Sequence, residues 1–226
     1  MVNIDTVYQR VLAIANKEQR GYITPQEFNL IANQAQLDIF EKYFYDLNQF
    51  KRIPGNDTKY SDMVDLLEEK ISIFKQGPVS FSNESSLGIA GSTIYRITDA
   101  NYNGKIVEEI RYEDYHKIQT PLTKPNTNRP VFWRKENKVY FQGIPNGDSV
   151  DFHYIVKPTS VNWAYTVIGD KALYVSGNSI NFTLHPSEEV DLILKIAQLA
   201  GIAIKDNSLY QAAAIEERKN IEQEKR

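Results

Sequence analysis

The chain has 226 residues and a mass of 26.0 kDa, enough for one large domain or for two lobes that bury a core. Its net charge of −3 provides no overall basic field that would draw it to nucleic acid or an anionic membrane. The absence of cysteine excludes disulfides, thiolate metal sites and a cysteine nucleophile, and fits a reducing cytoplasm. Because no apolar run approaches the ~18 residues of a membrane span and the start lacks the pattern of a secretion signal, we expect no membrane partner.

The first third of the chain is predicted to form three helices. Apolar residues recur at helical spacing from Ile4 to Ala15, which predicts a first helix that ends near Gly21. A third helix is expected around residues 63–74, where apolar residues again follow the helical period, and Gly77-Pro78 is expected to stop it.

The second helix has the clearest start in the sequence. Thr24 can cap it, Pro25 occupies the first helical position, and Glu27 follows three residues after Thr24 to close a capping box. Its apolar stripe is broad, so we expect cover on more than one side, from the same chain or from a neighbouring subunit. The residues of this stripe are Phe28, Leu30, Ile31, Ala35, Leu37, Ile39, Phe40, Phe44 and Leu47.

The middle of the chain is predicted to be rich in strands. Asn103-Gly104 is a type I′ hairpin signal between two apolar runs, and Glu136-Asn137 separates another pair. Residues 150–156 alternate, which predicts Val150, Phe152, Tyr154 and Val156 on a buried face and Asp151, His153 and Ile155 on the other. Further strands are expected at 173–175 and 180–182, while residues 120–130 form a polar loop with three prolines.

Helix is predicted again from Pro186, with Val190, Ile193, Leu194, Ala197 and Ala200 on its apolar face. A last helix is expected after Asp206-Asn207-Ser208, and its end, residues 216–226, is almost entirely charged.

This order of elements predicts an α+β fold in which helices from both ends form a bundle and an antiparallel β-rich lobe is inserted between them. The predicted segments are residues 1–78 for the N-terminal helices, 79–185 for the β-rich lobe, and 186–226 for the C-terminal helices with their charged tail.

Two motifs suggest ligand chemistry only in part. Residues 99–106, from Asp99 to Ile106, match the first eight positions of a helix-loop-helix calcium loop, but Ile110 stands where a bidentate Glu is needed. A plain hairpin is the preferred interpretation. Residues 88–93 faintly resemble a phosphate-binding loop but lack its lysine, so a loop without nucleotide is preferred there.

The titratable residues show no catalytic spacing. His116, His153 and His185 lack metal-ligand spacing and a serine or carboxylate partner, so structural or solvated roles are expected. Acidic residues gather near the first hairpin, and a solvated face is preferred over a glycosidase carboxylate pair. These residues are Glu108, Glu109, Glu113 and Asp114. We therefore predict no catalytic, cofactor-binding or metal-binding residues.

A local basic stretch contains interleaved aromatic residues, a mixture that can bind single-stranded nucleic acid. The preferred interpretation places the aromatics in the sheet core and the charges in solvent, since the chain as a whole is slightly acidic. The basic residues are Lys124, Arg129, Arg134, Lys135 and Lys138, and the aromatic ones are Phe132, Trp133 and Tyr140.

Several short segments, taken in order, resemble a known family. They are residues 24–29 (TPQEFN), 33–36 (NQAQ), 128–132 (NRPVF), 139–141 (VYF), Ile144-Pro145, the strand 150–156 followed by Pro158, and 186–190 (PSEEV). In this layout the chain resembles the head-to-tail adaptor, or connector ring, proteins of short-tailed, podovirus-like bacteriophages, including the crAss-like phages.

The resemblance implies a non-enzymatic virion protein at the head–tail junction, assembled in the host cytoplasm. Its copies would form a ring, commonly a dodecamer, that binds the portal protein and other tail or ring proteins, extends the DNA channel with transient contact to passing DNA, and carries no cofactor. The candidate partner contacts are Lys124, Asn126 and Arg129 in the loop, and Arg218, Lys219, Glu222, Lys225 and Arg226 in the charged tail.

Two alternatives stay open beside the ring protein. One is a non-enzymatic binding module whose β-lobe grips a protein or polymer, and the other is a hydrolase with a site assembled from dispersed carboxylates.

We predict that removal of residues 216–226 leaves the fold intact and weakens binding to the portal protein, because this segment is the expected docking arm. Melting temperature and portal affinity of the truncated chain check this, and unchanged portal affinity would reject the arm.

Overall fold

The computed structural model describes residues 1–16, 23–50, 63–82, 87–88, 94–135, 138–169, 171–204, 211, 214–215 and 218–219. The chain divides into two compact units, which we call the helical unit (Met1–Ile73 and Pro158–Arg226) and the β unit (Phe74–Lys157). Helices and antiparallel sheets are both present, so the predicted α+β class is confirmed.

Helix α1 runs over Ile4–Asn16. The side-chain oxygen of Asn3 caps it by accepting hydrogen bonds from the backbone N–H groups of Asp5 (2.9 Å) and Thr6 (3.1 Å). The predicted end near Gly21 lies outside the described residues.

Helix α2 runs over Pro25–Phe50 and begins as predicted. The Glu27 carboxylate accepts hydrogen bonds from the Thr24 N–H (3.0 Å) and hydroxyl (2.8 Å), and the Glu27 N–H donates to Thr24 Oγ1 (3.3 Å). The backbone hydrogen bond from Thr24 is the main reason that the pKa of Glu27 is lowered. The capping box is therefore confirmed.

Helix α3 covers Met63–Ser72, and Gly77-Pro78 lies within the following strand. The prediction that Gly77-Pro78 stops the helix was wrong, because the strand has already begun at Lys75.

Helix α4 covers Glu189–Ile204 after a short 3₁₀ turn, Pro186–Glu188, in which the His185 side chain accepts from the Ser187 N–H (3.2 Å). Leu192 and Ile196 are fully buried on α4, whereas Val190 is exposed. The predicted apolar face of this helix was thus wrong at Val190, because the buried stripe is turned toward residues 192 and 196.

The helices of this unit pack as neighbours, with α2 against α3 and α4, and α1 against α4. Lys70 of α3 forms an ion pair with the buried Glu188 at the start of α4 (2.6 Å), and Arg10 of α1 pairs with Glu189. That these helices form a bundle of the predicted kind stays a prediction.

An extended segment, residues 158–164, lies along α2 and is held by side-chain amides. Asn29 and Asn33 each bond both backbone groups of one residue of this segment. Asn33 accepts from the Val161 N–H (2.8 Å) and donates to its carbonyl (2.9 Å), while Asn29 accepts from the Trp163 N–H (2.8 Å) and donates to its carbonyl (3.3 Å).

Gln36 continues this row of amides, which we call the amide ladder (Asn29, Asn33 and Gln36). Its amide donates to the Thr159 carbonyl (2.8 Å) and accepts from the Thr183 N–H (3.1 Å), and the residue is only 1% exposed. Gln36 thereby joins two distant stretches of chain to one point of α2.

Residues 158–185 belong to the helical unit, although the predicted β-rich segment extended to residue 185. These residues belong to the helical unit because the side chains of Trp163, Phe182 and Leu184 are buried in it. The Trp163 ring contacts Tyr8 (4.2 Å between centroids), and its indole N–H donates to Asp5 (2.9 Å).

Strands β9 (Tyr165–Ile168) and β10 (Lys171–Tyr174) form a two-stranded antiparallel hairpin in the helical unit. Tyr165 and Tyr174, a cross-strand pair at its base, both stack on Trp163. The strand predicted at 180–182 is reduced to single bridges, Ile180 with Asn162 and Phe182 with Val2.

The β unit contains two four-stranded sheets, ordered β1-β8-β3-β4 and β2-β7-β6-β5. All the described strand pairs are antiparallel except β5–β6, which is parallel. The strands are β1 (Lys75–Ser82), β2 (Leu87–Gly88), β3 (Ile94–Tyr102), β4 (Lys105–Ile106), β5 (Glu108–Glu109), β6 (Val131–Lys135), β7 (Lys138–Gln142) and β8 (Ser149–Val156).

Two predicted hairpins are confirmed. β3 and β4 pair across Asn103 (φ 49°) and Gly104 (φ 75°), the positive angles that a type I′ turn requires. β6 and β7 pair antiparallel, with Lys135 opposite Lys138, while the turn at Glu136-Asn137 lies outside the described residues.

Side chains from both sheets form one core in the β unit. Its buried members are Ala100, Tyr102, Val107, Phe132, Val139, Ile144, Val150 and Phe152. Ile155 is also buried, although alternation placed it on the exposed face of β8. Tyr154 and Val156, on the other face, are half-buried, so both faces of β8 are covered at this end.

None of the helices that the structure describes is both long enough and apolar enough to cross a membrane.

We predict that Asn33→Ala lowers the free energy of unfolding by about 2–4 kcal/mol, because it leaves the backbone N–H and carbonyl of buried Val161 without partners. Gln34→Ala, at an exposed position of the same helix, is the control and should change stability by less than about 0.5 kcal/mol. Denaturant unfolding measures both. Equal effects of the two substitutions would contradict a supporting role of the ladder.

Candidate interaction surfaces

The predicted contact Asn126 organises a tight turn in the loop before β6. Its side-chain oxygen accepts from the N–H groups of Asn128 (2.9 Å) and Arg129 (3.0 Å). Its backbone lies directly on Gly143, where an added Cβ would come within 2.6 Å of the Asn126 carbonyl oxygen. Asn126 is therefore exposed and also stabilises the conformation of the loop.

The predicted contact Arg129 is paired within the chain. Its guanidinium donates to the Glu108 carboxylate from Nη2 (2.9 Å) and Nε (3.1 Å), so one member of the acidic cluster is neutralised. Lys105 binds the same turn through the Asn128 side chain (2.7 Å). Both members of the Arg129–Glu108 pair stay exposed, so a partner can still reach them.

Lys124, the third predicted contact of this loop, ends an exposed turn. The N–H groups of Thr123 and Lys124 both donate to the Thr120 carbonyl (3.0 and 2.9 Å). Leu122 at the tip is 99% exposed. Sequence reasoning missed it, because a single leucine in a polar loop has no periodicity.

The long segment that leads to this turn is attached to the second sheet. Gln119 and Gln142 exchange hydrogen bonds through their side-chain amides (2.7 and 3.0 Å). Asp114 forms an ion pair with Lys117 (2.7 Å), and the hydrogen bond from Lys117 lowers the pKa of Asp114. The turn at 120–124 thus projects from an ordered base.

The basic stretch is largely engaged by the protein itself. Arg134 donates to the backbone carbonyls of Tyr95 and Ile94 (both 3.3 Å), and Lys135 lies over the Tyr112 ring (4.7 Å). Lys138 is exposed. Phe132 and Trp133 are buried, and Trp133 is stacked against Tyr140. Phe132 is a member of the β-unit core, as the preferred interpretation expected, whereas Trp133 and Tyr140 lie on the opposite face of β6 and β7, where Trp133 packs against Tyr115.

The calcium-like segment from Asp99 lies in β3 and its hairpin. Tyr102 within it donates to the Asp148 carboxylate, and this hydrogen bond raises the pKa of Tyr102. In the described part of the chain no group of three or more His, Cys, Asp or Glu side chains could hold a metal ion.

The histidines are dispersed. The His116 ring contacts Tyr115, His153 lies in β8, and His185 caps the turn before α4. The phosphate-loop-like residues beyond Gly88 lie outside the described residues.

In the charged tail, Arg218 and Lys219 are helical and exposed. The predicted contacts Glu222, Lys225 and Arg226 lie outside the described residues, as does the predicted start of the last helix at Asp206.

Helix α2 presents an exposed stripe, which we call the α2 stripe (Leu30, Gln34, Leu37, Glu41 and Tyr45). Other faces of α2 are covered or half-covered, in agreement with cover on more than one side. Leu30, Leu37 and Tyr45 are nevertheless 74%, 42% and 69% exposed. Large apolar side chains at helical spacing in solvent are typical of a contact surface.

The β9–β10 hairpin presents a second apolar surface. Thr166 pairs with Leu173 and Ile168 with Lys171, so these four side chains share one face, which we call the hairpin face. All four are exposed. The sequence signal for this hairpin was available, because Gly169-Asp170 separates two β-branched or apolar runs.

No protein-family model matches this sequence, and no curated protein is significantly similar to it.

We predict that Gly143→Ala destabilises the chain by at least about 2 kcal/mol more than Gly147→Ala, because the two glycines have nearly equal φ (90° and 93°) but only Gly143 contacts the Asn126 backbone. Gly147→Ala should cost about 1 kcal/mol, the strain of a left-handed alanine. Denaturant unfolding of both variants measures the contribution of the contact between residue 143 and the Asn126 backbone. Equal losses of unfolding free energy would show that Gly143 does not hold the turn.

Proposed function

We propose that this chain is a non-enzymatic structural subunit of an oligomeric ring at a bacteriophage head–tail junction, where it connects the portal to the tail and extends the DNA channel. The observation that carries the proposal is the presence of two unlike exposed apolar surfaces on the helical unit, the α2 stripe and the hairpin face. The resemblance of segments such as residues 24–29 and 128–132, taken in order, to connector ring proteins supports the same assignment.

A ring of identical subunits needs two different complementary surfaces on each copy, because head-to-tail contacts close into a cycle. The helical unit offers such a pair, one on a helix and one on a hairpin. A subunit of this kind acts through its shape and its copy number, and needs no reactive group.

Other virion proteins would bind outside these two surfaces. The turn at 120–124, with Leu122 and Lys124 in solvent, is a contact site for a neighbouring tail or ring protein. Arg129 extends this site, and the charged tail with Arg218 and Lys219 is the portal-docking arm.

Contact with DNA in the channel would be transient. The net charge is −3, and Arg129, Arg134 and Lys135 already bind groups of the same chain. Tight binding of nucleic acid needs many free cations on one surface, so a slightly acidic subunit favours passage of DNA over its retention.

The test mixes the full-length chain with the portal protein of the same phage and measures the mass of the complex by light scattering, with electron microscopy of the particles. We expect a ring of subunits, a dodecamer in the simplest case, attached to the portal. A chain that neither binds the portal nor occurs in mature virions would overturn the proposal and favour the binding-module alternative. Turnover of a substrate in a hydrolase screen would overturn it in favour of the enzyme.

A further inference from the structure

The β9–β10 hairpin contacts the rest of the helical unit at the base of one face, and Val167 on that same face is 62% exposed toward the tip. Tyr165 and Tyr174 at the base of one face stack on Trp163 and fix the hairpin to the helical unit. The other face, with Ile168 (63% exposed) and Leu173 (50% exposed), is left largely uncovered by the described residues of its own chain. Isolated two-stranded hairpins are marginally stable in water, so a hairpin with a bare apolar face gains stability from a partner.

The α2 stripe has the dimensions to receive that face. Leu30 and Leu37 are seven residues apart on the helix, about 10 Å along its axis. On the hairpin face, Leu173 and Ile168 occupy successive positions of the same face, about 7 Å apart along the strands and one strand apart across them. Two apolar contacts are therefore available on each side, about 10 Å apart on α2 and about 8 Å apart on the hairpin, a difference that flexible leucine and isoleucine side chains can accommodate.

Each surface also carries one charged side chain near its apolar pair. On α2, Glu41 lies one helical turn beyond Leu37, and on the hairpin, Lys171 lies opposite Ile168 at the tip. Neither Glu41 nor Lys171 forms an ion pair with any residue that the structure describes. With Leu173 on Leu30 and Ile168 on Leu37, Lys171 lies level with Ile168, and its long side chain spans the ~6 Å of one helical turn to Glu41.

We propose that the hairpin face of one copy binds the α2 stripe of the next copy, with Ile168 against Leu37 and Lys171 paired with Glu41. Both surfaces are exposed in the folded chain, so the contact forms between copies. Because the two surfaces differ, the contact is head-to-tail and repeats around a ring. This interface rests on the proposed ring function and names the residues that build it.

The absence of cysteine in the chain permits a direct cross-linking test. Full-length Leu37→Cys and Ile168→Cys proteins are mixed with the portal protein, oxidised, and separated without reductant. We expect a disulfide-linked dimer in the mixture of the two variants and none with either variant alone. Leu66→Cys, at an exposed leucine on α3, is the matched control and should give no dimer with Ile168→Cys.

The possible outcomes distinguish failure of the proposed interface from failure of the proposed ring function. A dimer of Leu37→Cys with itself would indicate a two-fold contact and overturn the proposed interface. Portal-bound particles without a disulfide between the substituted positions 37 and 168 would overturn the interface and leave the ring function standing. Failure of the unsubstituted chain to assemble on the portal would overturn the ring function, and the interface with it.

Charge exchange provides a second, non-covalent test. Lys171→Glu and Glu41→Lys should each weaken self-association about tenfold, because each places like charges together at the contact. The double variant should restore the association of the unsubstituted chain, as measured by sedimentation at several protein concentrations. Additive weakening in the double variant would contradict the Lys171–Glu41 pair.

Discussion

The amide ladder on α2 is the interaction on which the rest of the helical unit depends. The buried residues Val161 and Trp163 must find partners for their backbone N–H and carbonyl groups. On the other edge of the segment, Asn162 pairs with the Ile180 backbone and the Ala164 carbonyl accepts from the Val175 N–H, which leaves Val161 and Trp163 to the side chains of α2. Asn29 and Asn33 take the place of a neighbouring strand. The spacing of the two asparagines matches the spacing of the two residues they bind, because four helical residues rise about 6 Å and two strand residues advance about 6.6 Å. Alternate backbone units of the segment therefore meet successive turns of the helix.

The position of this segment determines where Trp163 and the β9–β10 hairpin lie. Trp163 is set against Tyr8 and Asp5, and the base of the β9–β10 hairpin stacks on Trp163. Gln36 also holds Thr183, which leads into the start of α4. One helix thus fixes both ends of residues 159–183, and the α2 stripe, about 100° around the helix from the amide ladder, stays exposed. The proposed ring uses this division, since one side of α2 builds the fold and another side meets a neighbour.

Local features of the fold could be predicted because their causes lie within a few residues. The capping box at Thr24 and the turn at Asn103-Gly104 each depend on short-range hydrogen bonds or backbone angles. The burial of Phe132 and Trp133 was also accessible from their place in an apolar strand. The loop residues Asn126 and Arg129 were found as exposed polar groups, but the Asn126 bond to the Arg129 N–H and the Arg129 pair with Glu108 depend on the folded loop.

The remaining features depend on contacts between distant residues. In the sequence, Asn33 is an ordinary polar position of a helix. Its role is visible only in the fold, where Val161, 128 residues later in the chain, lies beside it. For the same reason residues 158–185 were assigned to the β-rich lobe, although their burial joins them to the helices. Ile155 is buried because both faces of β8 are covered at its end, and the exposure of Leu30 and Ile168 depends on what the fold leaves uncovered.

Amide hydrogen exchange at Val161 and Trp163 tests the central claim most directly, because the N–H groups of these residues donate to the Asn33 and Asn29 side chains. If the amide ladder holds the segment, these two amides exchange only when the helical unit unfolds, as slowly as the central amides of α2. Exchange at the rate of an unstructured peptide would show that α2 does not hold the segment, and the placement of the hairpin would lose its physical basis.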